Sequence, residues 1–546
     1  MSIKKQIKMK KISILILIGV ICIVNTFAQT NKDLKNWHHK DASLDHFPGI
    51  GTDRTYSELL KGRTSKTVIV AIIDSGVDTT HQDLVGNFWI NEDEIAGNGI
   101  DDDNNGYIDD INGWNFIGNS KGENILNDNL EVTRVYNDLK TKFSKIDTFN
   151  LSGQNKKDFD FYKLMRIDFL ERYEKAKTEY DNFMLFSNYY TKADDNIREE
   201  LKKEIYTEDD LKVLITSSDK MIKNSAAYIL NLLEKGFGKS EFNSYKQHVE
   251  SEYLYRLNVD FKPRDIIGDD ISSNSDSFYG NNNVMGPRCG HGTYVAGVVG
   301  ANRNNKNDAY GIADNVKFMV LRVVPDGDER DKDVANAIKY AVNNGAQVVN
   351  MSFGKDYVSH KYLVDEALDL ANRKKVLLIH AAGNESEDND IKWHYPINLT
   401  NDSLKPLTDY WIEVGASSYK ADKTLPADFS NYGQKNVDVF APGVSIYSLE
   451  PGQKFESANG TSSASPVVCG VAAVLLSYFP QLSPAEVKEI IWNSATPYKK
   501  LKVILPDRTN PKPKKVKFGT LSKTGGVVNL YNAVSMAIEK TKSGIK

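Results

Sequence analysis

Residues 67–78 read TVIVAIIDSGVD. The apolar run in this stretch is short, unbroken and rich in β-branched side chains, which predicts a strand buried on both faces of a parallel sheet. Asp74 follows at the carboxyl end of that strand, where open α/β sheets place their binding sites. An aspartate here also suits an ordinary turn. The stretch therefore indicates an α/β fold and leaves open whether Asp74 is functional.

From about residue 264 onward, the chain alternates between strand and helix patterns. This alternation predicts an α/β fold with a mostly parallel central sheet and helices on both of its faces. Residues 497–523 are rich in Lys and Pro, and we expect them to form a surface loop. The predicted strands span 317–324, 347–351, 376–381 and 411–416, and the predicted helices span 331–342, 360–372, 461–478, 484–492 and 527–538.

The middle of the chain has a different composition. Residues 119–263 are rich in Lys, Glu, Leu, Phe and Tyr at helical spacing, which predicts a helical insertion into the α/β domain. Thr207 is a candidate N-cap, since the acidic residues 208–210 follow it. The predicted divisions are 1–28, a signal peptide; 29–66, a short N-terminal segment; 67–118, the first part of the α/β domain; 119–263, the insertion; and 264–546, the second part.

The N-terminus carries the pattern of an export signal. Five lysines precede an apolar run at residues 12–24, and small residues follow up to Ala28. This order of basic, apolar and small residues predicts a signal peptide that is cleaved after Ala28. An uncleaved membrane anchor and lipid attachment at Cys22 are the alternatives. We expect export, either secreted or periplasmic, with no membrane association after cleavage.

The composition narrows the range of partners. A formal charge of −4 lacks the basic excess typical of nucleic-acid-binding proteins, so we expect no nucleic-acid partner. Cys289 and Cys469 are the cysteines that follow the signal segment, and they are too few for a disulfide framework. The sequence leaves open whether they pair.

Two further stretches carry residue types that suit acyl transfer. Residues 289–300 read CGHGTYVAGVVG and place His291 between glycines at a predicted helix start, where an imidazole can act as a general base. Residues 459–466 read NGTSSASP and place Ser462 at another helix start, whose free N–H groups favour a developing negative charge. Each has a plain alternative: a structural histidine and a helix N-cap.

Together, the three segments resemble the subtilisin-like serine peptidases, or subtilases. They share the chain order Asp, His, Ser, and no G-x-S-x-G elbow of the α/β-hydrolases surrounds Ser462. The resemblance implies a subtilisin-like three-layer fold and an endopeptidase that cleaves polypeptides through an acyl-enzyme, without an organic cofactor. It implies that Ser462 attacks, His291 transfers the proton and Asp74 holds the imidazole. The matching motifs are DSG at 74–76, HQDL at 81–84, HGT at 291–293 and GTSSASP at 460–466.

The resemblance also assigns parts of the substrate cleft. The AAGNE stretch at 381–385 looks like the oxyanion-hole segment of the family, with Asn384 as a donor. The stretch Ser352-Phe353-Gly354 resembles the edge to which an extended peptide adds as a strand. Phe353 also suits a core position, and Asn384 also suits a turn. The wall for the residue before the cut would include Ala381, Ala382 and Gly383.

An acidic loop predicts a calcium site. Side-chain oxygens in residues 101–109 stand at loop positions 1, 3, 5 and 9, which is calcium-loop spacing. Asn112 stands where such loops usually carry a bidentate Glu, and an acidic solvated turn is the alternative. By the resemblance, Asp83 matches a family calcium ligand, with residues 302–308 as its loop partners. The ligands predicted within the acidic loop are Asp101, Asp103, Asn105, the carbonyl of Tyr107, and Asp109.

The resemblance covers about residues 67–116 and 264–540, so the helical insertion falls between the Asp and His segments. Residues 29–66 are short for the inhibitory propeptide that subtilases usually carry. A non-catalytic binding protein that keeps the fold is one alternative function. A processing peptidase with few substrates is another.

Overall fold

The computed structural model describes residues 34–273, 278–304, 309–400 and 404–543. The described chain divides into two compact units. One is Val132–Phe261, and the other combines the segments up to Glu131 and from Lys262 onward. We call them the helical unit and the sheet unit. The predicted signal peptide, residues 1–28, lies outside the described residues.

The strands all belong to the sheet unit. They are β1 Val68–Asp74, β2 Gly113–Asn115, β3 Val316–Arg322, β4 Val348–Met351, β5 Leu377–Ala381, β6 Trp411–Ser417, β7 Val439–Pro442, β8 Ile446–Glu450, β9 Lys454–Ala458, β10 Thr496–Pro497, β11 Lys502–Ile504, β12 Lys515–Lys517 and β13 Gly526–Val527.

The longer helices are spread over both units. They are α1 Glu131–Phe143, α2 Gly153–Leu201, α3 Glu208–Leu214, α4 Lys220–Leu233, α5 Lys239–Glu250, α6 Gly290–Gly300, α7 Asp331–Asn343, α8 Lys361–Lys374, α9 Thr461–Tyr478, α10 Pro484–Ser494 and α11 Leu530–Ser543.

The main sheet has nine described strands in the order β10-β13-β7-β6-β5-β4-β1-β3-β2. Its neighbours pair in parallel, except that β10 runs antiparallel to β13. The predicted mostly parallel α/β sheet is therefore confirmed. Since β1, β4 and β5 are adjacent and parallel, their carboxyl ends meet at one edge of the sheet.

Alternate side chains of β1 enter two different apolar layers. Val70 and Ile72 pack in the same core as residues of α6 and α9. Ala71 and Ile73 pack in the opposite core, with residues of α7 and α8. This alternation follows from the period of two along a strand. It confirms the predicted arrangement of helices on both faces of the sheet.

Helix α9 is the one described helix that is long and apolar enough to cross a membrane. It has 18 residues, of which 89% are buried inside the protein. Because it lies in the core between sheet and outer helices, its apolar character is explained by packing. Its bounds, Thr461–Tyr478, are those predicted from the sequence.

Two predictions for the C-terminal region are wrong. The helix predicted at 527–538 begins later, at Leu530, because Val527 pairs with Phe440 as strand β13. Residues 497–523, predicted as a surface loop, contain an antiparallel pair, β11 and β12, and a fully buried Phe518. The pairing of Val527 with Phe440 joins residues that are distant in sequence, and the Lys/Pro-rich composition of 497–523 does not reveal the pair β11 and β12.

The helical unit is built around α2, a helix of 49 residues. Aromatic and aliphatic side chains of α2 form an apolar core with α3, α4 and α5. Phe183, Tyr190 and Phe242 are among its buried members. The Thr207 hydroxyl accepts a hydrogen bond from the Asp210 N–H, and the Asp210 carboxylate accepts one from the Thr207 N–H. The predicted N-cap is therefore confirmed as a capping box.

The described part of the N-terminal segment belongs to the core of the sheet unit. Trp37 and Ile50 are fully buried there. The indole of Trp37 donates to the carbonyl of Val444 at 2.9 Å, and the carbonyl of Ile50 accepts from the N–H of Leu530 at 2.8 Å. These contacts tie residues before β1 to later parts of the sheet unit.

Candidate active site

Asp74 and His291 form a hydrogen-bonded pair. Asp74 is 1% exposed at the carboxyl end of β1, and His291 lies in the first turn of α6. The His291 Nδ1–H donates to the Asp74 carboxylate, with distances of 2.8 and 3.0 Å to its two oxygens. Because Asp74 holds Nδ1, the ring nitrogen left for chemistry is Nε2.

Two glycines allow the helix carrying His291 to approach the strand carrying Asp74. A Cβ added to Gly292 would collide with the carbonyl oxygen of Gly76, and Gly76 itself has a φ of +113°. The approach therefore requires a residue without a side chain at both positions. Cys289 and Cys469, whose pairing the sequence left open, are both free and buried.

Opposing influences act on the pKa of His291. Burial lowers this pKa, whereas the charge of Asp74, its hydrogen bond and the charge of Glu456 raise it. The raising influences win, so the pKa of His291 lies above its ordinary value. Since the side chain is 43% exposed, solvent screens part of this attraction.

Ser462 lies in the first turn of α9, half-buried. The neighbouring Ser463 hydroxyl accepts a hydrogen bond from the Tyr294 hydroxyl at 3.0 Å, which joins helix α6 to the first turn of α9. Among the described residues, no hydrogen bond links Ser462 Oγ to His291. Such bonds are often long without substrate and tighten when it binds.

Asn384 follows β5, and hydrogen bonds to Thr461 hold it beside Ser462. Its side-chain amide oxygen, Oδ1, accepts from the Thr461 N–H at 2.9 Å and from the Thr461 hydroxyl at 3.1 Å. A Cβ at Gly460 would lie 2.8 Å from Ser462 Oγ and 3.8 Å from Asn384 Oδ1, so both groups border the same glycine. With its oxygen occupied, Asn384 has its NH₂ group left as a donor.

Ser352 lies beside helix α9, which carries Ser462. It is 4% exposed, and its hydroxyl donates to the carbonyl of Ser462 at 3.1 Å. It also lies 2.9 Å from the hydroxyl of Ser465, and the Asn350 amide donates to it at 2.9 Å. The side chain of Ser352 therefore braces α9 from strand β4.

The other two residues of the predicted substrate edge differ in burial. Phe353 is 9% exposed and packs in the apolar core with α7 and α8, as its alternative interpretation expected. Gly354 is half-buried, and a Cβ on it would collide with the ring of His394. Any contact of these two residues with a peptide would therefore be made mainly by their backbone.

The predicted wall is buried at all three positions. The Ala382 carbonyl accepts from the side-chain amides of Asn389 and Asn431. Gly383 has a φ of +106°, and its N–H donates to the hydroxyl of Thr461 at 3.1 Å. The Gly383 bond holds the end of the segment Ala381-Ala382-Gly383 against the start of α9.

The acidic loop brings together three carboxylates. Oxygens of Glu94, Asp101 and Asp103 lie within 4.8 Å of one another. Asp101 and Asp103 are predicted calcium ligands, whereas Glu94 was not selected from the sequence. Glu94 lies seven residues before the loop, outside the calcium-loop spacing, so no local signal identifies it.

The other predicted ligands have different partners. Asp109 accepts three backbone hydrogen bonds, from Gly97 at 2.6 Å, Asn98 at 3.1 Å and Gly99 at 2.9 Å. The Asn105 amide donates to Asp103 and Asp110, and the buried Tyr107 ring packs against Trp114 and Tyr340. These contacts belong to an ordered turn.

Asp83 is buried apart from that group, and its carbonyl accepts from the N–H of Asn302. Asn302 begins the loop that was predicted to complete its calcium site. Residues 305–308 of that loop lie outside the described residues.

A family model described as "Subtilase family" matches residues 65–523, more than half of the chain. Subtilisin DY of Bacillus licheniformis is 35% identical over 209 residues, which cover 38% of this chain and 70% of the relative. The cell wall-associated protease of Bacillus subtilis (strain 168) is 26% identical over 411 residues, which cover 68% of this chain and 40% of the relative. The match thus spans less than half of that longer protease.

Similar solved structures are also proteases. The prenylagaramide maturation protease PagA is 30% identical, with a TM-score of 0.36, and the match covers 45% of this chain and 82% of PagA. The self-cleaved protease domain of PatA is 27% identical, with a TM-score of 0.35, and the match covers 47% of this chain and 84% of PatA's chain.

Proposed function

Since this chain belongs to the subtilase family and is a serine-type endopeptidase, we propose that it is exported and cleaves polypeptides through an acyl-enzyme formed on Ser462. His291 is the general base and acid, and Asp74 orients it. Asn384 and the backbone N–H of Ser462 bind the oxyanion. The observation that carries this assignment is the hydrogen-bonded pair of Asp74 and His291. One helical turn after His291, Tyr294 bonds to Ser463, the residue next to Ser462.

Acylation begins with attack of Ser462 Oγ on the substrate carbonyl carbon. An Oγ–C bond forms as the hydroxyl proton moves to Nε2 of His291, and the carbonyl oxygen becomes an anion. The Asn384 amide and the Ser462 N–H donate to that anion, aided by the amino end of α9. The C–N bond then breaks as His291 returns the proton to the leaving amine.

Deacylation repeats these steps with water as the nucleophile. His291 takes a proton from water, the hydroxide oxygen bonds to the acyl carbon, and the ester bond to Ser462 breaks. The proton then returns to Ser462 Oγ. Asp74 stabilises the imidazolium in both stages without taking the proton itself.

An activity-based label tests the nucleophile. The chain from Gln29 onward would be incubated with a fluorophosphonate probe and with casein, beside Ser462→Ala and the control Ser477→Ala. Ser477 lies at the other end of the same helix and donates to the carbonyl of Lys66, so its loss leaves the site intact. We expect wild type and Ser477→Ala to be labelled and Ser462→Ala to be inert.

The outcomes separate the alternatives. Labelling together with casein cleavage supports a general endopeptidase, and labelling without casein cleavage favours a processing enzyme with few substrates. Labelling that persists in Ser462→Ala contradicts the assignment of the nucleophile. A folded wild type that is neither labelled nor active contradicts an active peptidase.

Export has its own test. Expression of the full chain, followed by N-terminal sequencing of the fractionated protein, should give Gln29 as the first residue in the medium or periplasm. The support is the basic, apolar and small-residue order of residues 1–28. An intact Met1 in membranes would favour an uncleaved anchor.

The carboxylates of Glu94, Asp101 and Asp103 fit a calcium ion. All three offer the hard oxygen ligands that this ion prefers, and their close approach is favoured by a cation between them. Bound calcium would neutralise their mutual repulsion and brace the loop that follows β1. We assign it a structural role, since the triad chemistry requires no metal.

A further inference from the structure

Lys355 is a buried lysine directly after the proposed substrate edge. Its side chain is 2% exposed. The ammonium donates to Glu131 Oε2 at 2.9 Å and to the carbonyl of Glu329 at 2.8 Å, and it lies 2.7 Å from Asp331 Oδ1. An ammonium removed from water is costly unless such acceptors replace the water. These three contacts therefore fix the end of the side chain.

The backbone of Lys355 is fixed as well. Its N–H donates to the carbonyl of Tyr395 at 3.0 Å, and its carbonyl accepts from the N–H of Tyr395 at 2.8 Å. Gly354, next to it in the chain, has no side chain that could hold it in place. The position of the Gly354 backbone therefore depends on its neighbours, which are Lys355 and the close ring of His394.

Glu131 is the residue from which the chain leaves the sheet unit for the helical unit. Its side chain is 3% exposed. One carboxylate oxygen pairs with Lys355, and the other accepts a hydrogen bond from the Ser359 hydroxyl. Its N–H donates to Asp328 at 2.7 Å. The carboxylate and the N–H of Glu131 are thus both directed at parts of the sheet unit.

The segment before Glu131 is anchored independently of Lys355. The Asp128 carboxylate accepts two hydrogen bonds from Arg330, both at 2.9 Å. The Asp128 N–H donates to the carbonyl of Asp326 at 3.0 Å, and a Cβ on Gly327 would collide with the Asp128 carbonyl. These contacts fix the position of Glu131. Its ion pair in turn fixes the position of the Lys355 side chain.

We propose that Glu131 is a positioning residue, which fixes the backbone of Phe353 and Gly354 for an extended peptide through its ion pair with Lys355. This inference rests on the proposed function, because it requires these two residues to bind substrate. Glu131 does not touch the triad. Its loss should weaken the binding of long peptides and leave the reactivity of Ser462 unchanged.

Glu131→Gln is the direct test, because it keeps the size of the side chain and removes its charge. Asp269→Asn is the control, since Asp269 also belongs to a buried ion-pair network: it lies 2.7 Å from Lys332, with both side chains 2% exposed, and pairs with Arg264 as well. Each variant would be assayed for KM and kcat on an extended peptide, for the rate of fluorophosphonate labelling and for thermal stability.

We expect Glu131→Gln to raise KM by about fivefold to tenfold, which falls within the range for coupling between residues in contact, with an unchanged labelling rate. Asp269→Asn should lower stability with KM unchanged. Because both residues act through one ion pair, the double variant Glu131→Gln/Lys355→Gln should raise KM no further than Lys355→Gln does alone. An equal rise of KM in Asp269→Asn would show that the effect comes from general destabilisation, and it would overturn the proposal.

Ser359→Ala keeps the proposal testable if Glu131→Gln does not fold. Ser359 is exposed, and its loss removes one hydrogen bond to Glu131 without stranding the buried lysine. We expect a smaller rise of KM in the same direction. Unchanged KM in a folded Glu131→Gln, beside an active wild type, overturns this inference alone. A wild type that cleaves no peptide instead overturns the proposed function on which it rests.

Discussion

The proposed catalytic groups and the acidic loop at residues 101–109, taken together with Glu94, both gather polar side chains, but different contacts hold them in place. Asp74 bonds to a histidine 217 positions away, and Asn384 bonds to a threonine 77 positions away. In the loop, Asp109 bonds to residues 10 to 12 positions away, and Glu94 to residues 8 to 15 positions away. The first region requires the whole fold, whereas the second is organised mostly by its own turn.

This difference has a consequence for mutations. Groups in the long-range region can be altered without unfolding the sheet, so their loss should appear mainly in the reaction rate. Groups in the loop satisfy local backbone N–H donors, so their loss should appear mainly in stability. Variants from both regions can therefore test the contrast.

The largest expected effect is that of Asp74→Asn. The amide cannot orient or stabilise the imidazolium as a carboxylate does, so we expect kcat to fall by about 10⁴-fold. The thermal midpoint should change little, because size and burial are retained. Steady-state kinetics and thermal unfolding measure the two properties.

Asp78→Asn is its control. Asp78 is also 1% exposed, but it accepts from Thr80 and from the N–H of Gly452 rather than from His291. We expect lower stability and a nearly normal kcat. A loss of kcat in Asp78→Asn as large as that in Asp74→Asn would contradict the special role of Asp74.

Asn384→Ala comes next. Removal of one oxyanion donor typically lowers kcat by about 10²- to 10³-fold with little effect on KM, because the bond is made to the transition state. The same substitution removes the acceptor for the Thr461 N–H, so a small loss of stability should accompany it. A rise of KM at constant kcat would instead assign Asn384 to substrate binding.

The pH dependence gives a smaller and graded effect. His291 must be neutral to act as a base, and its pKa is raised by Asp74 and Glu456. The acid limb of kcat/KM should therefore have its midpoint above 6.5, the ordinary value for histidine, and activity should fall as pH falls through it. Glu456→Gln should move this midpoint to lower pH. A midpoint that stays in place, or moves upward, would contradict the influence of Glu456.

The parts predictable from sequence are those with a strong local pattern or a matching motif. The apolar run before Asp74 and the helix Thr461–Tyr478 have such patterns, and their bounds are nearly or fully those expected. Residues 289–300 and 459–466 were selected by their resemblance to subtilases, since a lone histidine or serine decides little. The physical basis of that motif, the contact between Gly292 and Gly76, becomes visible only in the fold.

The parts that sequence did not predict depend on distant partners. Glu94 joins the acidic loop because the chain folds back, so that its carboxylate accepts from the N–H groups of Asp102 and Asp103. Val527 is a strand residue because Phe440 lies beside it. Lys355 is buried because Glu131 and Asp331 surround its ammonium, although a lysine in isolation predicts exposure.

The smallest effect on rate is expected in the loop, where two variants separate a calcium site from an acidic turn. Glu94→Gln removes a carboxylate from the three that lie together, so the rise of the thermal midpoint on adding calcium should shrink or disappear. Asp109→Asn removes the charge that receives three backbone N–H groups, at a cost of about 1 kcal/mol in the free energy of unfolding. Asparagine tolerates the φ of +56° at this position, so backbone strain does not add to that cost.

Thermal unfolding with calcium and with chelator, together with kcat, distinguishes these effects. Asp109→Asn should lower the midpoint equally in both conditions and keep its response to calcium, whereas Glu94→Gln should lose that response. Both should keep kcat within about twofold, because neither residue contacts the triad. If Asp109→Asn lost the calcium response and Glu94→Gln kept it, the loop spacing would identify the ligands better than the carboxylate cluster does. If the thermal midpoint of the wild type did not change with calcium, the loop would be an acidic turn held by its own backbone hydrogen bonds.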